Sequence, residues 1–209
     1  MSHHHPLFAR FYARTSLAME RGLATHRRTL LEGLSGRVIE VGAGNGLNFA
    51  HYPATVTEVL AVEPEPHLRA LARGNAEHAP VPTEVVDGVA DRLPAEDSSC
   101  EAAVASLVLC SVPDQAKALA EMLRVVRPGG QLRFFEHVQA ASPGRRRIQK
   151  ALDATVFPFF GGGCHCGRDT AAAIERAGFV IERIDRLGTA ETQMPFPVAP
   201  QILGVASRP

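Results

Sequence analysis

Apolar residues along the chain follow two patterns: short continuous runs of strand length, and longer segments in which they recur three or four residues apart. Helical spacing is predicted for 66–77, for about 114–126 and for 170–177, where Pro, Asp or Gly residues mark the ends. Strands that alternate with helices in this way are typical of a parallel sheet covered on both faces. The strand-like runs are 37–41, VLAVEP, TEVVDG, AAVASLVLC, QLRFFEHV, FVIERI and ILGVAS.

The first 35 residues carry a separate helical pattern, predicted to form one or two amphipathic helices ahead of the sheet. We expect residues 1–35 to form a helical lid of the same domain, and residues 36–209 to form the main domain. Phe8, Phe11 and Tyr12 either cover a ligand cleft, which would exclude water, or pack as an ordinary apolar face.

Composition narrows the class of protein. The chain has 209 residues with 45% hydrophobic content, enough for one domain with a full core. Its 22 basic and 22 acidic side chains cancel, so no overall field attracts nucleic acid and no such partner is expected. The longest apolar windows are too short or too interrupted by proline to span a bilayer. We therefore expect a cytoplasmic protein without stable membrane insertion, and four reduced cysteines.

A glycine-rich turn follows the first strand-like run. Gly42, Gly44 and Gly46 alternate with other residues just after the acid Glu40. A dinucleotide-binding turn would place its last glycine at position 47, where this chain has Leu47. An acid in front of the turn would repel a pyrophosphate and would suit a cationic group such as the ammonium of an amino acid. The glycines predict that backbone comes close to a ligand, and residues 47–52 after them are expected to open a helix.

A second acid ends the next strand. Glu63 lies 23 residues after Glu40, at the end of the VLAVE run. In a parallel fold this is the place of a carboxylate that accepts both hydroxyls of a ribose. A nicotinamide dinucleotide shares this feature, and it stays a second interpretation that Leu47 and Glu40 disfavour.

With these motifs the chain resembles the class I S-adenosylmethionine-dependent methyltransferases. The resemblance covers 38–138, where VIEVGAGNG, AVEP, DGVADRLP, SLVLCSV and LRVVRPGG follow in the order and spacing of that family. It implies an α/β fold with a doubly wound, Rossmann-like sheet, mostly parallel, a C-terminal antiparallel strand and the N-terminal helical lid. It also implies S-adenosylmethionine as cofactor and S-adenosylhomocysteine as its product.

The resemblance also implies roles for single residues. The glycines would bring backbone against the methionine part of the cofactor, Glu63 would hold the ribose, and residues 88–90 would flank the adenine. The family often has Asp at position 89, where this chain has Val89, so adenine contacts are expected from backbone groups or from Asp91. The residues expected to bind the cofactor are Tyr12, Glu40, Gly42, Gly44, Asn45, Gly46, Asn48, Glu63, Pro64, Gly88, Val89, Ala90, Ser106 and Leu107.

A looser resemblance concerns the methyl acceptor. LVLCSV, FFEHV, GGGC and an R-x-T motif resemble the small alkyl-thiol methyltransferases of the mammalian endoplasmic reticulum and their bacterial relatives, over about 37–204. It implies transfer to a small apolar acceptor, with a thiol favoured and an oxygen or a quinone carbon next. The membrane-anchoring helix of the mammalian members has no counterpart here, so membrane residence is not implied.

Two alternative functions stay open. The first is a non-catalytic S-adenosylmethionine-binding protein that acts in regulation or assembly, and the second, less favoured, is a nicotinamide-dinucleotide oxidoreductase. The sequence also leaves the oligomeric state open.

Two polar residues end the strand QLRFFEHV. Glu136 and His137 should emerge at the carboxyl edge of the sheet, where open α/β folds bind ligands. His137 is the candidate general base because the ordinary pKa of histidine lies near neutrality. Glu136 would orient His137 or contact the acceptor. The alternative is that His137 only caps the strand.

The run Cys164, His165 and Cys166 raises the question of a metal. A zinc site needs about four ligands, usually in separated pairs, and three consecutive side chains point in different directions. His51 or Cys110 would have to complete the set, so we predict no metal. The segment either forms a glycine-rich acceptor loop or an ordinary loop with small buried thiols. Nearby, Phe157, Phe159 and Phe160 either wall an apolar acceptor pocket or pack in the core.

Overall fold

The computed structural model describes residues 6–155 and 157–209. Its strands form one seven-stranded sheet in the order β3-β2-β1-β4-β5-β7-β6. The strands are β1 (Gly36–Val41), β2 (Val56–Val62), β3 (Thr83–Val86), β4 (Cys100–Ser106), β5 (Val126–His137), β6 (Val180–Leu187) and β7 (Gln201–Ser207).

Helices cover both faces of this sheet. Several begin where a side chain accepts a backbone N–H of the first turn: Glu65 for α2, Asp114 for α3 and Asp169 for α6. The α-helices are α1 (Pro6–Leu31), α2 (Pro66–Ala76), α3 (Gln115–Val125), α4 (Pro143–Asp153), α5 (Phe157–Phe160), α6 (Thr170–Arg176) and α7 (Thr189–Thr192).

The strand pairing confirms the predicted α/β architecture. The first five strands pair in parallel, and β7 runs antiparallel to both β5 and β6. The chain winds outward from β1 through β2 to β3, and then returns to place β4 on the other side of β1. The gap between the carboxyl ends of β1 and β4 is therefore the topological switch point, where open sheets of this kind bind ligands.

The amino-terminal region is one continuous helix. α1 spans 26 residues and buries Leu23, Leu30 and Leu31, while Leu17 is largely exposed. The expected boundary between 35 and 36 falls directly before β1. Within the described ranges, no helix combines the length and the apolar character needed to cross a bilayer.

Three segments differ from the sequence prediction. Residues 47–52, expected to open a helix, form only a 3₁₀ turn (Phe49–His51). The run AAVASLVLC leaves the sheet after Ser106, because Leu107 adopts a left-handed conformation with φ of 60°. The RPGG segment, expected to end α3, belongs to β5, where Gly129 and Gly130 exchange backbone hydrogen bonds with Arg208 and the register against β4 shifts.

The sheet separates two apolar layers. Phe134 and Phe135 are consecutive and fully buried, and alternation along a strand places them on opposite faces of β5. Phe134 packs in the layer that includes Leu119 of α3, and Phe135 packs in the layer that includes Leu23 of α1. These two side chains link the sheet to both helical layers.

We expect the layers to respond independently to substitution. Phe134→Leu and Phe135→Leu should each lower the free energy of unfolding by about 1–2 kcal/mol, because each leaves unfilled volume in a packed core. The double variant should equal the sum of the two within about 0.5 kcal/mol, because the rings share no packing layer. Urea unfolding of the four proteins measures this cycle, and a coupling energy above about 1 kcal/mol would contradict it.

Candidate functional site

The glycine turn lies at the switch point. Gly42, Gly44 and Gly46 have φ of 67°, 59° and 79°, a region that L side chains rarely adopt. The N–H of Gly42 donates to the carbonyl of Val62 over 2.8 Å and fastens the turn to the end of β2. A Cβ on Gly46 would lie 2.5 Å from the ring of Phe49. The turn therefore keeps backbone close to its neighbours and to the cleft.

Glu63 lies beside this turn. Its Oε2 accepts the N–H of Gly44 over 2.8 Å, and its Oε1 accepts the N–H of Glu65 over 2.9 Å. Burial raises the pKa of Glu63 to about 7, although both N–H groups act to lower it. Each carboxylate oxygen keeps a second lone pair. The carboxylate can thus still accept two hydroxyl donors, as the ribose of S-adenosylmethionine would supply.

Glu40 has a different surrounding. Its two oxygens accept hydrogen bonds from Asn48 Nδ2 over 2.9 Å and from the Tyr52 hydroxyl over 2.7 Å. Burial raises the pKa of this carboxyl to about 7, and the two donors act to lower it. Glu40 therefore holds residues 48–52 against the turn, and its contact with a cofactor stays a prediction.

The first half of α1 reaches the turn through Tyr12. A Cβ on Gly44 would lie 3.4 Å from Cε1 of this ring. Burial raises the pKa of the Tyr12 phenol, and the positive charge of Arg27 lowers it. Phe11, one position earlier, is 61% exposed, and the side chain of Phe8 lies outside the described part of the chain. The structure thus places Tyr12 at the turn and Phe11 toward solvent.

Two polar contacts fasten the rest of α1 to the turn. Asn45 Nδ2 donates to the Ser16 hydroxyl over 3.1 Å, and Arg27 Nη1 donates to Asn48 Oδ1 over 2.8 Å. Asn45 and Asn48, both expected to bind cofactor, therefore also hold α1 over the turn. The same Arg27 nitrogen lies 3.5 Å from the hydroxyl of Ser106, the last residue of β4.

The segment expected to flank an adenine follows β3. A Cβ on Gly88 would lie 2.8 Å from Cγ1 of Val62, so the backbone passes close to the end of β2. Val89 forms an isolated bridge with Arg92, and Ala90 packs against the core. Asp91 is exposed. The segment reaches the edge of the cleft beside Glu63.

Two further expected cofactor residues lie on the two sides of β1, Leu107 after β4 and Pro64 after β2. Leu107 donates its N–H to the carbonyl of Phe135 over 2.7 Å, which continues the pairing of β4 with β5 up to the left-handed residue at which the chain leaves the sheet. Pro64 follows Glu63, and its carbonyl accepts a hydrogen bond from Arg69 over 3.0 Å. Both residues lie at the carboxyl edge of the sheet, and their contact with a cofactor stays a prediction.

Glu136 organises the loop after β4. Its Oε1 accepts the N–H groups of Val108 and Leu109, both over 2.9 Å, and its Oε2 accepts that of Cys110 over 3.1 Å. The carboxyl is fully buried, and burial raises its pKa although the three N–H groups act to lower it. From the other side, Arg168 Nη1 donates to the carbonyl of Leu109 over 2.7 Å. Glu136 therefore positions this loop, and among the described residues its hydrogen bonds go to the loop and not to the ring of His137.

His137 lies between two thiols. Its Nδ1 is 3.5 Å from the Sγ of Cys110 and 3.5 Å from the Sγ of Cys164. All three side chains are buried. Nε2 of the same ring is buried and has no hydrogen-bond partner among the described residues. His137 is thus part of a buried cluster at the carboxyl end of β5, and its role as a general base or as a strand cap stays a prediction.

The neighbours of Cys164 do not join this cluster. His165 Nδ1 lies 2.7 Å from the carbonyl of Gly163, and Cys166 Sγ donates to Asp153 over 3.4 Å. Consecutive side chains do point in different directions, as expected. Sequence reasoning named Cys110 as a possible partner of this run, but it missed that His137 lies between Cys110 and Cys164.

The aromatic residues before the cysteine run are only partly described. Phe157 begins α5, is partly buried, and accepts the N–H of Gly161 at its carbonyl over 2.7 Å. The side chains of Phe159 and Phe160 lie outside the described part of the chain. Their role as a pocket wall stays a prediction.

Arg27 and Ser16 are site residues that sequence reasoning missed. Arg27 follows Leu23 by one turn and precedes Leu30 and Leu31, so a charged residue interrupts the buried stripe of α1. Such a residue is costly unless it is paired. This interruption was the available signal for a helix that contacts a polar site.

Several known methyltransferases are similar to this chain in sequence. A family model described as a methyltransferase domain matches residues 39–134. Thiol S-methyltransferase TMT1B of Mus musculus is 38% identical over 185 residues, which cover 84% of this chain and 73% of that protein. Thiol S-methyltransferase TMT1A of Homo sapiens is 33% identical, with 95% of this chain and 85% of that protein covered. A demethylmenaquinone methyltransferase of Listeria monocytogenes is 37% identical over 78 residues, 37% of this chain.

Solved structures share the fold. Geranyl diphosphate C-methyltransferase from Streptomyces coelicolor, crystallised with S-adenosyl-L-homocysteine, has a TM-score of 0.69 at 14% identity and covers 89% of this chain and 77% of its own. The [4+2]-cyclase SpnF has a TM-score of 0.67 at 20% identity and covers 92% of this chain and 81% of its own. Since a cyclase has this fold, the fold alone does not decide the reaction.

The glycine turn generates one prediction. Gly46→Ala should lower the free energy of unfolding by about 2–5 kcal/mol, because alanine meets both the left-handed backbone and the ring of Phe49. Gly74→Ala, exposed in the last turn of α2 with nothing within 4 Å of the new methyl, is the matched control and should raise stability by about 0.5–1 kcal/mol. Denaturant unfolding measures both, and equal effects would contradict the assigned strain.

The buried carboxyl of Glu40 generates a pH prediction. Its pKa rises from an ordinary 4.5 to about 7 on folding, so between these values the folded protein keeps a proton that the unfolded chain releases. Stability from this group is present below about pH 4.5 and is lost as the pH rises to about 7. Glu40→Gln should therefore gain in melting temperature relative to the unaltered protein between about pH 5 and pH 8. Glu84→Gln, an exposed change on β3, is the control, and a difference that is constant with pH would reject the prediction.

Proposed function

The chain belongs to the family of the thiol S-methyltransferases TMT1A and TMT1B, and on this premise we propose that it transfers the methyl group of S-adenosylmethionine to the sulfur of a small apolar thiol. The observation that carries the proposal is the extent of the match. The relatives align over most of this chain, beyond the 39–134 segment of the general methyltransferase domain, and so include the acceptor side.

The site fits S-adenosylmethionine. When bound, this cofactor supplies a methyl group that its sulfonium makes electrophilic. The turn at Gly44 offers close backbone approach, and Glu63 has lone pairs left for the ribose hydroxyls. The adenine would lie along 88–90, and the methionine part along Ser106 and Leu107. Tyr12 would cover the cofactor from α1.

For the acceptor, the chemistry is displacement at the methyl carbon by sulfur. The chain must hold the sulfur in line with the carbon and keep water out. We assign Glu136 to positioning, because it fixes the loop that carries Cys110. We assign His137 to the acceptor side, because its ring lies in the buried cluster where the loops after β4 and β5 meet.

Other acceptors have less support. The demethylmenaquinone methyltransferase relative matches only 37% of this chain. It therefore supports a quinone acceptor less strongly than the thiol methyltransferase relatives support a thiol acceptor. A pyrophosphate-containing dinucleotide would have to fit a turn that carries Leu47 in place of the last glycine. The non-catalytic alternative is decided by product formation.

We expect the purified protein, incubated with S-adenosylmethionine and a panel of alkyl thiols, phenols, quinols and amines, to add one methyl group to thiols. Mass spectrometry of the products measures this. Glu63→Ala should weaken S-adenosylhomocysteine binding at least about tenfold, since a buried acceptor for two hydroxyls is lost. Glu84→Ala is the exposed control.

Two outcomes would contradict the proposal. Transfer to phenols or amines but to no thiol would replace the acceptor class. S-adenosylhomocysteine binding with no methylated product from any acceptor would favour a non-catalytic binding protein.

A further inference from the structure

Cys110, His137 and Cys164 come from three separate segments and meet in the interior. Cys110 lies in the loop after β4, His137 ends β5, and Cys164 lies between α5 and α6. One possible ligand atom from each lies within 4.8 Å of the other two. Each side chain is less than 10% exposed.

The distances between the three groups match those around a coordinated metal ion. A ring nitrogen takes part in one strong hydrogen bond, yet both thiols lie 3.5 Å from the same Nδ1. Metal–sulfur bonds of about 2.3 Å and metal–nitrogen bonds of about 2.0–2.1 Å, at a tetrahedral angle, put sulfur and nitrogen about 3.5 Å apart. An ion at the centre could contact Nδ1 of His137 and both sulfurs.

The surroundings hold the three groups in place. Glu136 and Arg168 fix the N–H and carbonyl groups of the Cys110 loop, and the carbonyl of Cys110 accepts the N–H of His165 over 2.8 Å. The Cys110 and Cys164 loops are therefore linked directly. Such outer contacts are what fixes ligand geometry in metal sites.

We propose that Cys110, His137 and Cys164 bind a zinc ion whose fourth position takes the sulfur of the acceptor thiol. Two thiolates and an imidazole suit zinc and similar thiophilic ions far better than magnesium or calcium. Three protein ligands with an open fourth position are the arrangement of catalytic zinc. In this arrangement His137 is a ligand instead of the general base considered from the sequence. The role of the fourth position rests on the proposed function.

The cluster lies next to the cofactor turn. Val108, two residues before Cys110, packs so closely on Gly42 that a Cβ there would lie 2.5 Å from its Cγ2. The loop that carries one ligand therefore contacts the turn that receives the cofactor.

The chemistry balances without a further reactant. The acceptor thiol binds zinc as thiolate and gives its proton to solvent, because the thiolate is the metal ligand and the nucleophile. A sulfur lone pair forms the new bond to the methyl carbon, and the bond from that carbon to the sulfonium breaks with its electron pair on the departing sulfur. The sulfur of each product is an uncharged thioether. The methylated acceptor leaves because a thioether is a weaker zinc ligand than a thiolate.

The test of the metal site uses cobalt as a spectroscopic substitute on the full chain after chelator treatment. One equivalent of Co²⁺ should give the visible bands of a tetrahedral site and a sulfur-to-cobalt charge-transfer band. Cys110→Ser and Cys164→Ser should weaken this binding by more than about 100-fold. Cys100→Ser and Cys166→Ser, two buried thiols outside the cluster, are the matched controls. Thermal unfolding of the metal-free variants shows whether they remain folded.

The acceptor is tested on the same sample. Adding an alkyl thiol should strengthen the charge-transfer band as a third sulfur joins, and zinc should raise thiol methylation at least about tenfold over the metal-free protein. A cobalt spectrum that no thiol changes would overturn the role of the fourth position.

Absence of the cobalt spectrum, with metal-free protein that methylates thiols at full rate, would overturn the metal site and leave the proposed function intact. A cobalt spectrum with no thiol methylation in any metal state would leave the site and reject the function.

Discussion

Burial of carboxylates at one edge of the sheet is the constraint on which the site depends. Glu40, Glu63 and Glu136 lie at or just beyond the carboxyl ends of β1, β2 and β5, and all three are almost completely removed from water. A buried carboxylate is costly unless donors surround it. Those donors come from residues 48–52 for Glu40, from the glycine turn and the start of α2 for Glu63, and from the loop after β4 for Glu136. Three acids therefore shape the loops that form the cleft.

The same constraint explains why the two sides of the cleft differ. On the cofactor side, Glu63 receives two backbone N–H groups and retains lone pairs for a ligand. On the proposed acceptor side, both oxygens of Glu136 accept N–H groups of one loop, and this loop places Cys110 beside His137 and Cys164. In the proposed function, the first carboxylate would bind the ribose of the cofactor, and the second would fix the loop beside which the acceptor binds.

Sequence reasoning reached the parts of the site that lie close together in the chain. The strand period, the glycines and the spacing from Glu40 to Glu63 were enough for the fold and for the cofactor turn, because each signal is local. The start of β5 was missed because its register depends on backbone bonds to Arg208, far along the chain. The cluster around His137 was missed for the same reason, since only the completed sheet joins its three segments.

The order of strands in the sheet also determines at which stage of folding the site forms. β1, β2 and β3 are neighbours both in sequence and in space, but Val38 of β1 pairs on its other side with Ala102 of β4. Contacts between residues so distant in the chain form slowly, because the intervening segment must lose its freedom before the pairing stabilises anything. The cleft lies where β1, from the first part of the chain, pairs with β4, from a later part. A ligand that bridges it would therefore bind only the fully folded protein, and its presence would stabilise that state over any partly folded one.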